Sequence, residues 1–255
     1  MKKFFAIASL LALTFSACAE KEAQSEQQGK GRVDISLVTS SEVVDTRAKI
    51  SCTTPTAEDF ALTIEGVGSD FSANYASIDE FHEDSYLRYG SYKATVVAGD
   101  ISEEGYDKAT FVGSQEFAVE ARKHTDVEVT ATIANALVKV ETTENFERYF
   151  EGGHTLKLTT AAGNEFDVTA QSELLFIAPA EFIVTGTAVK QSAQSGKEGT
   201  TVALPEFKQS DVKPQTIYTV KLDVEQAGSA TLTITLNETL VESIDIEQEL
   251  NDNAQ

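Results

Sequence analysis

Residues 126–133 read Asp126-Val127-Glu128-Val129-Thr130-Ala131-Thr132-Ile133, with charged residues or threonine at the even positions and apolar residues at the odd ones. Successive side chains of a strand point to opposite faces, so this pattern describes a strand with one face on a core and one in water. The same alternation recurs on both sides. Before it lie Arg32-Val33-Asp34-Ile35-Ser36-Leu37-Val38, Phe60-Ala61-Leu62-Thr63-Ile64 and Tyr92-Lys93-Ala94-Thr95-Val96-Val97. After it come Leu137-Val138-Lys139-Val140, Thr155-Leu156-Lys157-Leu158, Glu181-Phe182-Ile183-Val184, Ile217-Tyr218-Thr219-Val220-Lys221-Leu222 and Ala230-Thr231-Leu232-Thr233-Ile234-Thr235-Leu236. A last short strand is expected within residues 243–247.

Helix is scarce. Residues 144–151 (ENFERYFE) place Phe146, Tyr149 and Phe150 on one face of about two turns, ended by Gly152-Gly153. Ser77-Ile78-Asp79-Glu80 is a capping box that opens another short turn. Neither is long enough to cover a sheet, so the sheets are expected to cover each other in an all-β fold. A weak echo doubles this unit. Glu116-Phe117 precedes Thr125 as Glu206-Phe207 precedes Thr216, at spacings of 90 and 91 residues. The expectation is two tandem, mostly antiparallel β-sandwiches of Greek-key or transthyretin-like type, over residues 31–134 and 135–250. No Pro/Gly linker separates them at Ala134-Asn135, so close docking is expected.

The chain has 255 residues, with 20 Lys+Arg against 41 Asp+Glu and a net charge of −21. Nucleic acid is excluded as a partner, because phosphate binding needs clustered basic residues. The two cysteines make no disulfide scaffold and have no zinc-finger spacing. The N-terminus joins Met1-Lys2-Lys3 to an apolar run over residues 4–13 and then to Thr14-Phe15-Ser16-Ala17-Cys18. That is a secretory signal. Phe15 is too large for the −3 position of ordinary signal cleavage, whereas small residues directly before a cysteine look like a bacterial lipobox. Residues 1–17 are then a lipoprotein signal peptide and Cys18 is the first mature residue, acylated and held in outer-membrane lipid. Cleavage leaves 238 residues with a net charge of −23. Residues 18–30 have no apolar periodicity and form an acidic, flexible tether. Cys52 then has no partner and reads as a small core residue on a strand.

Chemistry is sparse. His82, His124 and His154 have no ligand spacing, and HExxH, GxSxG, SxxK and the Walker A loop are all absent. No enzyme activity, cofactor or metal is expected. Two acidic groups, Asp79/Glu80/Glu83/Asp84 and Asp100/Glu103/Glu104/Asp107, read as solvated loop charge, with calcium as the alternative. The aromatic residues between 71 and 106 are more suggestive. Tyr75, Tyr86, Tyr89 and Tyr106 are the candidate ligand-facing side chains, against the alternative that they pack a core and a loop.

Several segments carry a family resemblance: Gly31-Arg32-Val33-Asp34-Ile35-Ser36-Leu37, Tyr89-Gly90-Ser91-Tyr92-Lys93-Ala94, Gly113-Ser114-Gln115-Glu116-Phe117-Ala118-Val119 and Ala134-Asn135-Ala136-Leu137-Val138-Lys139-Val140. With Gly99-Asp100, Glu104-Gly105-Tyr106 and Phe146-Glu147-Arg148-Tyr149-Phe150, they resemble a family of Bacteroides-type surface lipoproteins with a domain of unknown function, distantly similar to fimbrillins. The resemblance implies tandem sandwiches displayed on the outer membrane, and a non-enzymatic adhesin-like or pilus-like module whose partners are other surface or pilus proteins. The alternative is a glycan-binding lipoprotein of a polysaccharide-uptake system. Fimbrillin-like proteins are often cleaved after an Arg near the first strand. Arg47 in Asp45-Thr46-Arg47-Ala48 is the candidate processing site, with residues 243–250 as a donor strand. The alternative is an ordinary loop arginine.

Overall fold

The long alternating stretches form the long strands of a computed structural model. It describes residues 29–41, 52–169, 173–191, 199–226, 229–236 and 245–246. In the first half these are β1 (Lys30–Ser40), β2 (Ala61–Gly66), β3 (Ser72–Tyr75), β4 (Tyr86–Arg88), β5 (Gly90–Ala98), β6 (Gly105–Tyr106), β7 (Phe111–Val119) and β8 (His124–Ile133). All but β6 belong to one sheet of order β3-β2-β5-β7-β8-β1-β4. Its pairs are antiparallel except β1 and β8, which run parallel in register from Arg32↔His124 to Ser40↔Thr132. Gly31 opens this pair where the backbone of the preceding turn comes closest. A Cβ there would stand 2.4 Å from the carbonyl oxygen of Glu120.

The inward faces of the sheet form one core that includes Val33, Ile35, Leu62, Ile64, Val96, Phe111, Val127 and Val129. Each such side chain contributes roughly 1.5–3 kcal/mol by leaving water. Helix α1 (Ile78–Glu83) adds Ile78 and Phe81 to that core and touches β2 and β3 at one edge and β1 near the other. These two side chains supplement a core that the strands themselves make. Ser77 caps α1 by accepting from the N–H of Glu80 (3.1 Å), and the Glu80 carboxylate turns back to the N–H of Ala76 (2.5 Å).

The second half consists of β9 (Ala136–Thr142), α2 (Glu144–Tyr149), β10 (His154–Thr160), β11 (Glu165–Asp167), β12 (Leu175–Ile177), β13 (Phe182–Val189), β14 (Thr201–Ala203), β15 (Phe207–Gln209), β16 (Ile217–Gln226), β17 (Ser229–Leu236) and β18 (Asp245–Ile246). Two sheets face each other here. One has the order β11-β10-β13-β14, with β15 also paired to β13, and the other has the order β18-β17-β16-β9-β12-β6. Between them lie Val138, Val140, Leu156, Leu158, Phe182, Val184, Phe207, Tyr218 and Val220. Thr143 caps α2 from the N–H of Phe146 (3.2 Å), and Phe146 and Phe150 close one end of this core. β9 and β16 run parallel, Ile217↔Leu137 to Leu222↔Thr142.

The halves are joined by more than chain continuity. Only Ala134 and Asn135 separate β8 from β9. β9 and β12 are covered on both faces. Leu137 and Phe176, paired across the sheet, belong to the first core, while Ala136, Val138, Leu175 and Ile177 belong to the second. The edge strand beside β12 is β6, which comes from the first half and pairs Tyr106 with Leu175.

Candidate functional site

The four candidate tyrosines occupy three places. Tyr75 lies on edge strand β3 and packs edge-on against Phe81 (centroids 5.2 Å apart). Burial pushes its hydroxyl pKa up, and Asp84 and Glu80 push it further. Tyr86 and Tyr89 stand at the opposite edge, on and just after β4, with Tyr89 71% exposed. Tyr106 lies in the second half's sheet, edge-on to Phe166, and donates to the carbonyl oxygen of Asp167 (3.3 Å). Cys18 and Arg47 lie outside the described residues, as does most of segment 243–250. Its two described residues form β18 against β17. Cys52 is half-buried against the first core, in a bend and not in a strand. Burial, and then the charge of Asp107, raises its thiol pKa, the opposite of an activated nucleophile.

The histidines hold strands and loops. His82 accepts the backbone N–H of Ile35 on its Nε2 (3.3 Å), satisfying a β1 group that faces away from β8. His154 meets the carbonyl oxygen of Thr169 through Nε2 (3.1 Å) and lies edge-on to Phe146. His124 sits between two carboxylates, with its Nε2 2.8 Å from Asp126 and 3.4 Å from Asp34. Register places Asp34 directly opposite Asp126, and like charges facing across strands repel. His124, together with Arg32 (3.2 Å from Asp34), offsets that repulsion. Asp34, His124 and Asp126 are also the three side chains among the described residues whose ligand atoms lie close enough to share a cation.

The acidic group on the loop between β5 and β7 turns out to be structural. Asp100 accepts from the N–H and Oγ of Ser102, Glu103 pairs with Lys108 (2.9 Å), and Asp107 accepts from Thr53. Glu104 crosses to the second half. Its carboxylate accepts from Thr160 Oγ1 (2.5 Å), Asn164 Nδ2 (2.8 Å) and the N–H of Ala178 (2.9 Å). At the junction of the halves, Asn135 Oδ1 accepts the N–H of Thr110 (2.6 Å). Sequence reading misses this role. The one signal was Glu104-Gly105-Tyr106, a carboxylate before a single β-favouring tyrosine in a polar loop, and nothing in it names partners 56 to 74 residues away.

A groove of about 470 Å³ lies along β10, β11 and β13, within the range of small-ligand sites. Thr155, Lys157, Glu165, Phe166, Asp167, Thr185 and Thr187 line it. Lys157 and Glu165 pair at 3.0 Å, and the Thr155 and Thr187 hydroxyls meet at 2.9 Å. Hydrogen bonds from Thr169 hold the Asp167 carboxyl below the usual carboxylate range. Asp59, Asp100 and Glu181 shift the same way, also chiefly through hydrogen bonds. These carboxylates are set as fixed anions, whereas a general acid needs the opposite shift.

An all-β chain whose two cores share strands, with its ionic groups fastening loops, is the class that this geometry defines. The chain belongs to the family of "Domain of unknown function (DUF4493)", whose model matches residues 29–252. Among solved structures it is similar to a Bacteroides thetaiotaomicron protein provisionally named as polysaccharide-binding, at 8% identity and a TM-score of 0.44, over 86% of this chain and 100% of that one. It is also similar to proteins provisionally named as cell adhesion proteins. The one from Bacteroides uniformis has 10% identity and a TM-score of 0.42, over 82% of this chain and 98% of that one. The one from Bacteroides eggerthii has 10% identity and a TM-score of 0.41, over 82% and 95%. No curated protein matches the chain.

Proposed function

We propose that this chain is a lipid-anchored, surface-exposed, non-enzymatic module of adhesin-like or pilus-like type, held to the outer membrane through acylated Cys18. The observation that carries the reading is the coupling of the two halves: a shared sheet, residues of two cores on β9 and β12, and a carboxylate latch. That arrangement suits a body that presents surfaces at a fixed distance from an anchor. The signal with Cys18 supports it further. The test is fractionation and antibody labelling of intact cells. The wild-type chain is expected in the outer membrane and labelled, and Cys18→Ala in the soluble fraction. Membrane retention of Cys18→Ala overturns the anchor. In the pilus-like form, cleavage after Arg47 frees β1 from the chain that follows it. Arg-specific proteolysis followed by size-exclusion chromatography tests this, and a cut chain that stays monomeric overturns it.

The groove on β10, β11 and β13 supports a second reading, glycan binding. Its threonine hydroxyls and paired Lys157 and Glu165 match the alternating donors and acceptors of a sugar ring. Calorimetric titration with neutral oligosaccharides tests it. Binding lost in Lys157→Ala supports the reading, and no heat with any oligosaccharide overturns it.

A further inference from the structure

We propose that the parallel pair β1/β8 is a tension-bearing clamp, the element that resists a pull between the start of the chain and its second half. The proposal rests on the anchored reading only for the origin of the pull. β1 begins at Lys30 and runs beside β8 through nine residue pairs. β8 passes through Ala134 and Asn135 straight into β9, so the second half lies at the C-terminal end of both strands. A load on the residues before Lys30, resisted at the second half, therefore draws β1 and β8 in opposite directions along their shared axis.

Direction decides strength. Ladder bonds of a parallel pair are evenly spaced, so a load along the strands is divided among them, and they yield together. A load that lifts one strand end away from its neighbour breaks the same bonds one at a time. Slippage carries a further penalty. A shift of one residue turns Val33, Ile35 and Leu37 from the core face to water. Bonds at the entry reinforce the pair: the N–H of Arg32 donates to the oxygen of Lys123 (3.0 Å), and the N–H of Arg122 donates to that of Lys30 (2.8 Å). The other side of β1 is held by the oxygen of Ser85, which accepts from Val33 (2.8 Å), and by His82, which accepts from Ile35 (3.3 Å). At the far end the load enters β9, fixed between β16 and β12 and by side chains in both cores.

Single-molecule force spectroscopy on the mature chain, with Cys18→Ala and Cys52→Ala, tests the clamp by direction. One handle is attached at the N-terminus. The second sits on a cysteine either in Asn145→Cys, exposed just beyond β9, or in Lys123→Cys, exposed just before β8. The first pair loads β1 against β8 in shear, and the second peels them apart from one end. The expected result is a several-fold higher unfolding force for the Asn145 handle, at equal thermal stability of the two proteins. Equal forces in both directions overturn the clamp. Because the pull is applied by the instrument, this outcome is independent of whether Cys18 anchors the chain in cells.

Discussion

Both halves begin with a strand that returns to lie parallel to a late one, β1 with β8 and β9 with β16, yet the two pairs stand in different surroundings. Among the described residues, β1 has no strand on its outer side beyond its first residues. The three-residue β4, Ser85 and His82 hold it there. β9 is an interior strand, with β12 and then β6 on its outer side and a core against each face. One pairing scheme thus gives a rim in the first half and a spine in the second. Surroundings decide which residue of such a pair matters.

That contrast is broken most severely at the spine. Phe176→Ala empties a site in the first core from a strand of the second half, and the expected cost is about 3–5 kcal/mol. In urea unfolding followed by probes in each half, both transitions are expected to move together. If only the second half responds, the strand is not shared in any energetic sense. Glu104→Ala is expected to cost about 2 kcal/mol, because three donors of the second half lose a charged acceptor. The two transitions, coincident in wild type, are expected to separate, and Glu104→Gln should recover part of the coupling. At the rim, His82→Ala leaves the N–H of Ile35 without its acceptor. The expected loss is about 1 kcal/mol, with faster hydrogen exchange confined to β1 as the check. His124→Ala restores the Asp34–Asp126 repulsion and should cost no more than about 1 kcal/mol, less in high salt, since both carboxylates are exposed. Asp126→Asn in the same background should remove that loss. Smallest is a rate effect. Asp107 raises the Cys52 thiol, so Asp107→Asn lowers that pKa and should speed iodoacetamide alkylation at neutral pH.

The long strands, β9 and β16 of the spine included, were far more legible in the sequence than the short strands β6 and β12. β1, β5, β8 and β10 each have one wet face, and their alternation can be read directly. β12 has three consecutive buried residues, Leu175, Phe176 and Ile177, because sheets covered on both sides lose the period-two pattern. β6 is two residues long and is a strand only because β12 pairs with it. Helix α1 was visible through its capping box, but its place between the sheet edges depends on the closure of the sheet, which no local pattern encodes. The candidate site was the least legible. The tyrosines cluster in sequence between 75 and 106, but consecutive elements of this topology go to opposite edges and to a different sheet. Four of the ten residues that line the groove are threonines, whose β-branched side chains read as ordinary strand residues.

The parallel pairing of β1 also governs the order in which the protein assembles. Residues 32 and 124 stand 92 positions apart in the chain. β1 stays without this partner until the chain as far as β8 has followed it into the compartment where folding takes place. The first half therefore cannot close progressively from its beginning, and pairs of such long range form late in folding. During that interval Val33, Ile35 and Leu37 are exposed beside an unpaired backbone. A newborn chain thus has a first strand open to other pairing partners well before its own arrives.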